Sequence, residues 1–105
     1  MLNKLAKEIH ETAVGHGWWE NPPSFGETVA LCHAELSEAL EEYRARRALT
    51  YVDKGKPEGI AVEMADCLIR VLDWAAYAGV DMDAIVRAKM AYNETRPYRH
   101  GGKKL

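Results

Sequence analysis

The most informative segment of the chain reads Gly59-Ile60-Ala61-Val62-Glu63-Met64-Ala65-Asp66-Cys67-Leu68-Ile69-Arg70-Val71-Leu72-Asp73-Trp74-Ala75-Ala76. With successive residues about 100° apart around a helix axis, its charged side chains share one arc of about 80°: Glu63, Asp66, Arg70 and Asp73. Nearly all other positions are apolar, and a helix that is apolar on most sides is surrounded by protein. The segment therefore predicts a central helix from Pro57 to Ala78, which ends before Gly79.

Three more helical stretches flank this segment. They are predicted over about Leu2–Val14, Ser24–Arg47 and Met82–Asn93. Ser24 begins an S-x-x-E capping box, and the loop after the second helix is expected over Ala48–Lys56. No stretch alternates with period two between hairpin turns. We therefore predict an all-α fold, in which about four helices form an antiparallel bundle as a single domain over residues 1–105.

Length, charge and cysteine content exclude several classes of protein. A chain of 105 residues with a formal charge of −2 shows no large basic surface for duplex nucleic acid. Two cysteines cannot form a disulfide scaffold and suit a reducing compartment. The first residues do not resemble a signal peptide, and charges interrupt the most apolar segment. We expect a cytoplasmic protein that does not span a membrane.

The central helix has more apolar surface than the rest of the chain can cover. Only two other long helices and one short one are available to surround it. We therefore expect a second copy of the chain to complete the core, in a homodimer or a dimer of dimers.

The acidic arc of the central helix has two interpretations. In one, Arg70 pairs with Asp66 and Asp73 as a salt-bridge stripe, and the chain is a helical oligomerisation or regulatory module without catalysis. This stripe leaves Glu63 without a basic partner three or four residues away. In the other interpretation, the arc is part of a metal site.

The second helix favours the metal site. Glu35 and Glu38 have no basic partner within their helix, whereas Glu41 can reach Arg44, and Glu42 can reach Arg46, as ordinary solvated charges. Helices joined by a loop normally pack antiparallel, so four carboxylates are expected to face each other: Glu35, Glu38, Glu63 and Asp66. Such a group cannot stay fully ionised unaided, so either the pKa values of the acids rise sharply or a cation sits among them. An all-oxygen site favours Mg²⁺, or Mn²⁺ as a substitute, over Zn²⁺.

The spacing of these acids resembles a known family. E-x-x-E, 24 residues and then E-x-x-D are similar to the all-α nucleoside triphosphate pyrophosphohydrolases, which include MazG and the dimeric dUTPases. The surrounding words His33–Glu42 and Gly59–Asp66, and the closing run Lys89–Gly101, look like those of small MazG-like proteins. The chain departs from fuller versions of the pattern at Ala34, where they carry an acid.

The resemblance implies a Mg²⁺-dependent hydrolase that cleaves a nucleoside triphosphate between its α- and β-phosphates and forms a homo-oligomer. It implies that the four acids bind the metal, and that a set near the C-terminus binds or covers phosphates: Lys89, Asn93, Arg96 and Tyr98. Other candidates follow from residue type. Lys54 and Lys56 in the predicted loop are candidate phosphate-binding cations, with Arg99, Lys103 and Lys104 in the tail. Trp19, or its neighbour Trp18, could stack on a nucleobase.

Overall fold

The structure, a computed structural model, describes residues 1–98. Within this range four helices and a two-stranded antiparallel sheet follow one another: α1 (Leu2–Gly15), α2 (Phe25–Arg44), β1 (Tyr51–Asp53), β2 (Lys56–Glu58), α3 (Ile60–Tyr77) and α4 (Met82–Glu94). The four predicted helices are confirmed. The chain is mostly helical rather than all-α, because β1 and β2 form a hairpin where a loop was predicted.

The hairpin corrects the predicted start of the central helix. Lys54 and Gly55 both have positive φ, 52° and 81°, which suits a two-residue turn between paired strands. Tyr51 pairs with Glu58 across the ladder. Pro57 therefore lies in β2 and not in the first turn of α3. The strands have three residues each and are too short for a period-two pattern to reveal them.

Glycine at position 59 allows the start of α3 to pack against Leu49, which lies in the loop between α2 and β1. Its φ is +119°, and a Cβ there would overlap the carbonyl oxygen of Leu49. The amide of Ala61 donates to that same oxygen at 3.1 Å. This close approach sets where α3 begins, and Glu63 lies in its first turn.

Helices α2 and α3 form the main packing unit. The capping box at Ser24 and Glu27 is confirmed, since both of its hydrogen bonds are present. Phe25 at the start of α2 contacts Trp74 near the end of α3. Glu42 near the end of α2 places a carboxylate oxygen within 4.8 Å of one of Glu63, in the first turn of α3. The two helices are therefore antiparallel. Helix α1 packs on α3, and α4 packs on α1.

The chain by itself buries little apolar surface. Among residues 1–98 the buried hydrophobic side chains are Ala6, Ala39, Leu72 and Ala75. Large apolar residues stay exposed on all four helices, among them Leu5 and Val14 on α1, Leu36, Leu40 and Tyr43 on α2, Met64, Leu68 and Ile69 on α3, and Ile85 and Met90 on α4. The central helix is thus only partly covered by its own chain. No helix within the described range is long and apolar enough to cross a membrane.

Candidate metal centre

The antiparallel pairing of α2 and α3 brings three of the four predicted acids together. Glu35, Glu63 and Asp66 each place a carboxylate oxygen within 4.8 Å of the other two. Glu35 and Glu63 are each only 8 % exposed, and Asp66 is half-buried. We call these three residues the acidic cluster. The fourth predicted acid, Glu38, is exposed at its edge.

Glu63 is the member of the acidic cluster that lies in the first turn of α3. Its Oε2 is buried and accepts no hydrogen bond from the described residues. Burial, followed by the neighbouring carboxyl groups of Glu38 and Glu35, raises the pKa of Glu63 to about 7. Burial and the charge of Glu35 also raise the pKa of Asp66. The described residues therefore compensate the negative charge of the cluster only in part.

Arg70 pairs with the acidic cluster across the helix interface. Its Nε donates to Glu35 Oε1 at 3.0 Å. Asp73 instead accepts from the indole Nε1 of Trp19 at 3.1 Å and lies 2.7 Å from His10 Nδ1. The predicted stripe that joins Arg70 to Asp66 and Asp73 is therefore wrong for the residues the structure describes, because the guanidinium turns toward α2 and Asp73 turns toward α1.

Two glutamates outside the predicted site lie beside Glu63. Glu42 and Glu58 form a second group with it, again with oxygens within 4.8 Å. Glu42 is 7 % exposed and accepts from the Tyr51 hydroxyl at 3.0 Å and from Arg47 at 3.2 Å. The expectation that Glu42 is a solvated partner of Arg46 is therefore wrong.

The sequence does contain an indication that Glu42 lies near the acidic cluster. It follows Glu35 by seven residues, which places both on the same side of α2. Unlike Glu63 Oε2, however, Glu42 has hydrogen-bond donors from the hairpin and from Arg47 in the loop after α2, so its charge is compensated within the chain. Glu41, in contrast, forms the predicted exposed pair with Arg44 at 3.2 Å.

A cleft of about 900 Å³ opens beside the acidic cluster. It lies between α1, the loop after it, α2 and α3, and Glu35, Asp66 and Arg70 are among its lining residues. Trp18 and Trp19 line another part of the wall. Trp18 is 73 % exposed, whereas Trp19 is half-buried and stacks on Tyr77 with ring centroids 4.3 Å apart. The cleft thus offers both aromatic and acidic surface.

The predicted phosphate-binding residues lie elsewhere in the single chain. None of Lys54, Lys89, Asn93, Arg96 and Tyr98 lines the cleft. Lys54 forms the hairpin turn, and the charged groups of Lys89 and Arg96 lie over the Tyr92 ring, 4.8 and 5.9 Å from its centroid. The tail cations Arg99, Lys103 and Lys104 lie outside the described residues.

Lys56 is the hairpin cation closest to the acids. Its Nζ lies 3.1 Å from Glu58 Oε1. The pKa of Lys56 is raised, first by Glu58 and then also by the charges of Glu63 and Asp66. This lysine therefore faces the negative charge at the start of α3.

The donor set of the acidic cluster suits a hard cation. Carboxylate oxygens are the ligands that Mg²⁺ and Mn²⁺ take in proteins, and the orphaned Oε2 of Glu63 is a buried acceptor in need of a positive charge. The cluster can therefore in principle hold such an ion. Searches against family models, curated proteins and solved structures found no match for this chain.

Proposed function

We propose that the chain is a Mg²⁺-dependent nucleoside triphosphate pyrophosphohydrolase, similar to the small MazG-like proteins, which releases a nucleoside monophosphate and pyrophosphate. One observation carries the proposal. Three carboxylates from two antiparallel helices meet at Glu63, whose buried Oε2 has no donor within residues 1–98, beside a cleft with an aromatic wall. Such a site combines an excess of negative charge with room for a planar group.

The acids would have two different roles in hydrolysis, metal binding and proton acceptance. When bound, Mg²⁺ neutralises phosphate charge and lowers the pKa of a coordinated water. Glu35, Glu63 and Asp66 would hold the ion from both helices. Glu38, exposed at the edge of the cluster and close to Glu63, is positioned to accept the proton of the attacking water.

The remaining groups would bind the nucleotide. Trp18, with most of its ring exposed in the cleft, offers a surface on which a base can stack, and Trp19 supports the wall from its place against Tyr77. Lys56 would bind the leaving pyrophosphate. The set on and after α4 would reach phosphates only from a second copy of the chain or after a movement of α4: Lys89, Asn93, Arg96 and Tyr98.

A second copy is part of the proposal. The exposed apolar residues of α2 and α3, Leu36, Leu40, Met64 and Leu68 among them, offer the kind of surface that helical bundles bury between subunits. We propose a homodimer or a dimer of dimers, in the cytoplasm. Light scattering at micromolar protein should give at least twice the mass of one chain, and a monomer would contradict this part of the proposal.

The test of the activity is a panel of ribo- and deoxyribonucleoside triphosphates with Mg²⁺ or Mn²⁺. Pyrophosphate and orthophosphate are measured separately as first products. We expect pyrophosphate with at least one nucleotide, and activity that EDTA abolishes. Orthophosphate as the sole first product would place the cleavage at the terminal phosphate and contradict the proposal.

The exposed apolar surface also favours a second candidate, a helical oligomerisation or regulatory module without catalysis. In that case the acids have no ligand to bind. This candidate predicts that Mg²⁺ leaves the melting temperature unchanged, whereas a metal site raises it with increasing ion concentration.

A further inference from the structure

Arg70 has a special position in the cleft. Among the described residues that line it, Arg70 is the only lysine or arginine, whereas five carry carboxylates: Glu8, Glu27, Glu35, Asp66 and Asp73. A triphosphate in this cleft would meet repulsion on most sides, even with one divalent ion bound. Within residues 1–98 the guanidinium is the one permanent positive charge on the wall, and its planar fork suits phosphate oxygens.

The same guanidinium already has a partner in the acidic cluster. Its Nε donates to Glu35 Oε1 at 3.0 Å. The two ends of this pair differ in freedom, because the Arg70 side chain is 39 % exposed and that of Glu35 only 11 %. Arg70 can therefore turn into the open cleft by rotation of its long side chain, whereas Glu35 stays at the interface of α2 and α3.

A divalent ion and Arg70 compensate the same carboxylate. A cation in the acidic cluster takes up negative charge from Glu35 and repels the guanidinium close by. Both effects weaken the ion pair and leave the arginine without its acceptor. The nearest open region in which it can find another is the cleft that it already lines.

We propose that Arg70 exchanges partners, pairing with Glu35 while the acidic cluster is free of metal and with a phosphate group of the nucleotide once a divalent ion is bound. This inference rests on the proposed function, which it deepens with a phosphate-binding residue absent from the sequence prediction. Because one side chain links the two ligands, the ion and the phosphates should bind cooperatively.

The experiment uses two probes that need no turnover, Mn²⁺ alone and tripolyphosphate in the presence of saturating Mn²⁺, each titrated by calorimetry. In Arg70→Gln the competitor for Glu35 is gone, so Mn²⁺ alone should bind about tenfold more tightly. Tripolyphosphate should bind at least about tenfold more weakly, because its arginine is missing. If Arg70 only stabilised the fold, Arg70→Gln would bind both Mn²⁺ and tripolyphosphate more weakly.

Two further variants serve as controls. Arg44→Gln removes an exposed arginine that pairs with Glu41, and should leave both affinities within about twofold of the unmodified protein. Arg70→Lys keeps the charge but not the fork, so Mn²⁺ affinity should change by less than about threefold while tripolyphosphate affinity falls. Circular dichroism checks that each variant is folded.

A measurement on the unmodified protein keeps the inference testable if Arg70→Gln does not fold. The ¹⁵N–¹H signal of Arg70 Nε, identified by its loss in Arg70→Lys, should shift when Mg²⁺ is added and shift again with tripolyphosphate. Signals that do not move at saturating Mg²⁺ would overturn the exchange. So would an Arg70→Gln protein that binds Mn²⁺ equally or more weakly, or tripolyphosphate as before.

These outcomes are separate from those of the proposed function. Should no nucleotide yield pyrophosphate while the two affinities still change in opposite directions, the exchange stands and the proposed hydrolysis fails. Pyrophosphate release together with unchanged affinities in Arg70→Gln means that the hydrolysis stands and the exchange fails.

Discussion

The molecule contains two groups of carboxylates in opposite electrostatic situations. At the start of α4, Asp83 accepts hydrogen bonds from the backbone amides of Leu2 and Asn3 at 2.8 and 3.1 Å, which hold its pKa at about 2. Asp81 accepts from the Asn3 side chain and the Ala84 amide, and its pKa is lowered as well. In the acidic cluster, by contrast, the pKa of Glu63 is raised to about 7.

The two groups of carboxylates differ in the hydrogen-bond donors that the fold places around them. The aspartates join the ends of α1 and α4, and the donors around them come from the fold itself. The acidic cluster gathers three acids on neighbouring helices, yet Glu63 Oε2 has no donor among residues 1–98. Carboxylates of the first kind stabilise the folded chain by being ionised, and those of the second kind oppose folding unless something positive joins them.

The strongest test of this contrast is Glu63→Gln, which removes one charge with little change of shape. We expect pyrophosphate release to fall by about 1,000-fold, since the loss of a metal ligand costs several kcal/mol of transition-state stabilisation. Glu41→Gln, at an exposed position on α2, is the matched control and should keep activity within about twofold. Activity of Glu63→Gln near that of the unmodified protein would remove Glu63 from the site.

A second change disturbs the acidic cluster through the backbone. In Gly59→Ala the new Cβ meets the carbonyl of Leu49 at a φ of +119°, so the free energy of unfolding should fall by about 2–4 kcal/mol. Gly15→Ala, where nothing lies within 4 Å of an added Cβ, is the control. Urea denaturation measures both, and equal stability of the two variants would contradict the described start of α3.

The third test asks which group of acids responds to metal. Mg²⁺ at about 100 times its dissociation constant should stabilise the unmodified protein by about 2.7 kcal/mol, seen as a rise in melting temperature. Asp83→Asn should melt earlier than the unmodified protein because its amide donors lose an ionised acceptor, yet it should keep the full Mg²⁺ effect. Loss of the Mg²⁺ effect in Asp83→Asn but not in Glu63→Gln would reverse the assignment.

The smallest expected effect is on the pH dependence of stability without metal. Between its ordinary pKa of 4.5 and about 7, Glu63 is protonated in the folded chain and ionised in the unfolded one, so stability falls as the pH rises through this range. Asp83 acts with the opposite sign: its contribution is present above pH 3.8 and is lost as the pH falls toward 2. In Glu63→Gln the free energy of unfolding should change less with pH between pH 4.5 and 7. A pH dependence equal to that of the unmodified protein would contradict the raised pKa of Glu63.

The parts of the structure that depend on local chemistry were predictable from the sequence. The capping box at Ser24 and the side chain of Asp81, which accepts from Ala84, start α2 and α4 where expected. The approach of Glu35 to Glu63 and Asp66 follows from helical periodicity and from the antiparallel packing expected of two helices joined by a loop.

What the sequence did not predict depends on contacts between elements. Arg70 had acids in its own helix within reach, and its choice of Glu35 depends on how α2 and α3 pack. The burial of Glu42 depends on Tyr51, which belongs to a hairpin too short for a periodic pattern. Lys89 precedes Tyr92 by three residues and Arg96 follows it by four, so helical spacing accounts for their contacts with its ring. Their distance from the cleft, in contrast, depends on how α4 packs against the other helices.

The small number of buried apolar side chains affects how substitutions should be interpreted. In the isolated chain Leu36, Leu40 and Met64 are 41 %, 47 % and 52 % exposed. Exposure of this size would suggest that these positions tolerate substitution. In a self-associated protein these positions would be interior, where truncation of a leucine costs about 2–5 kcal/mol. Damaging substitutions should therefore concentrate at residues that a single chain presents as surface.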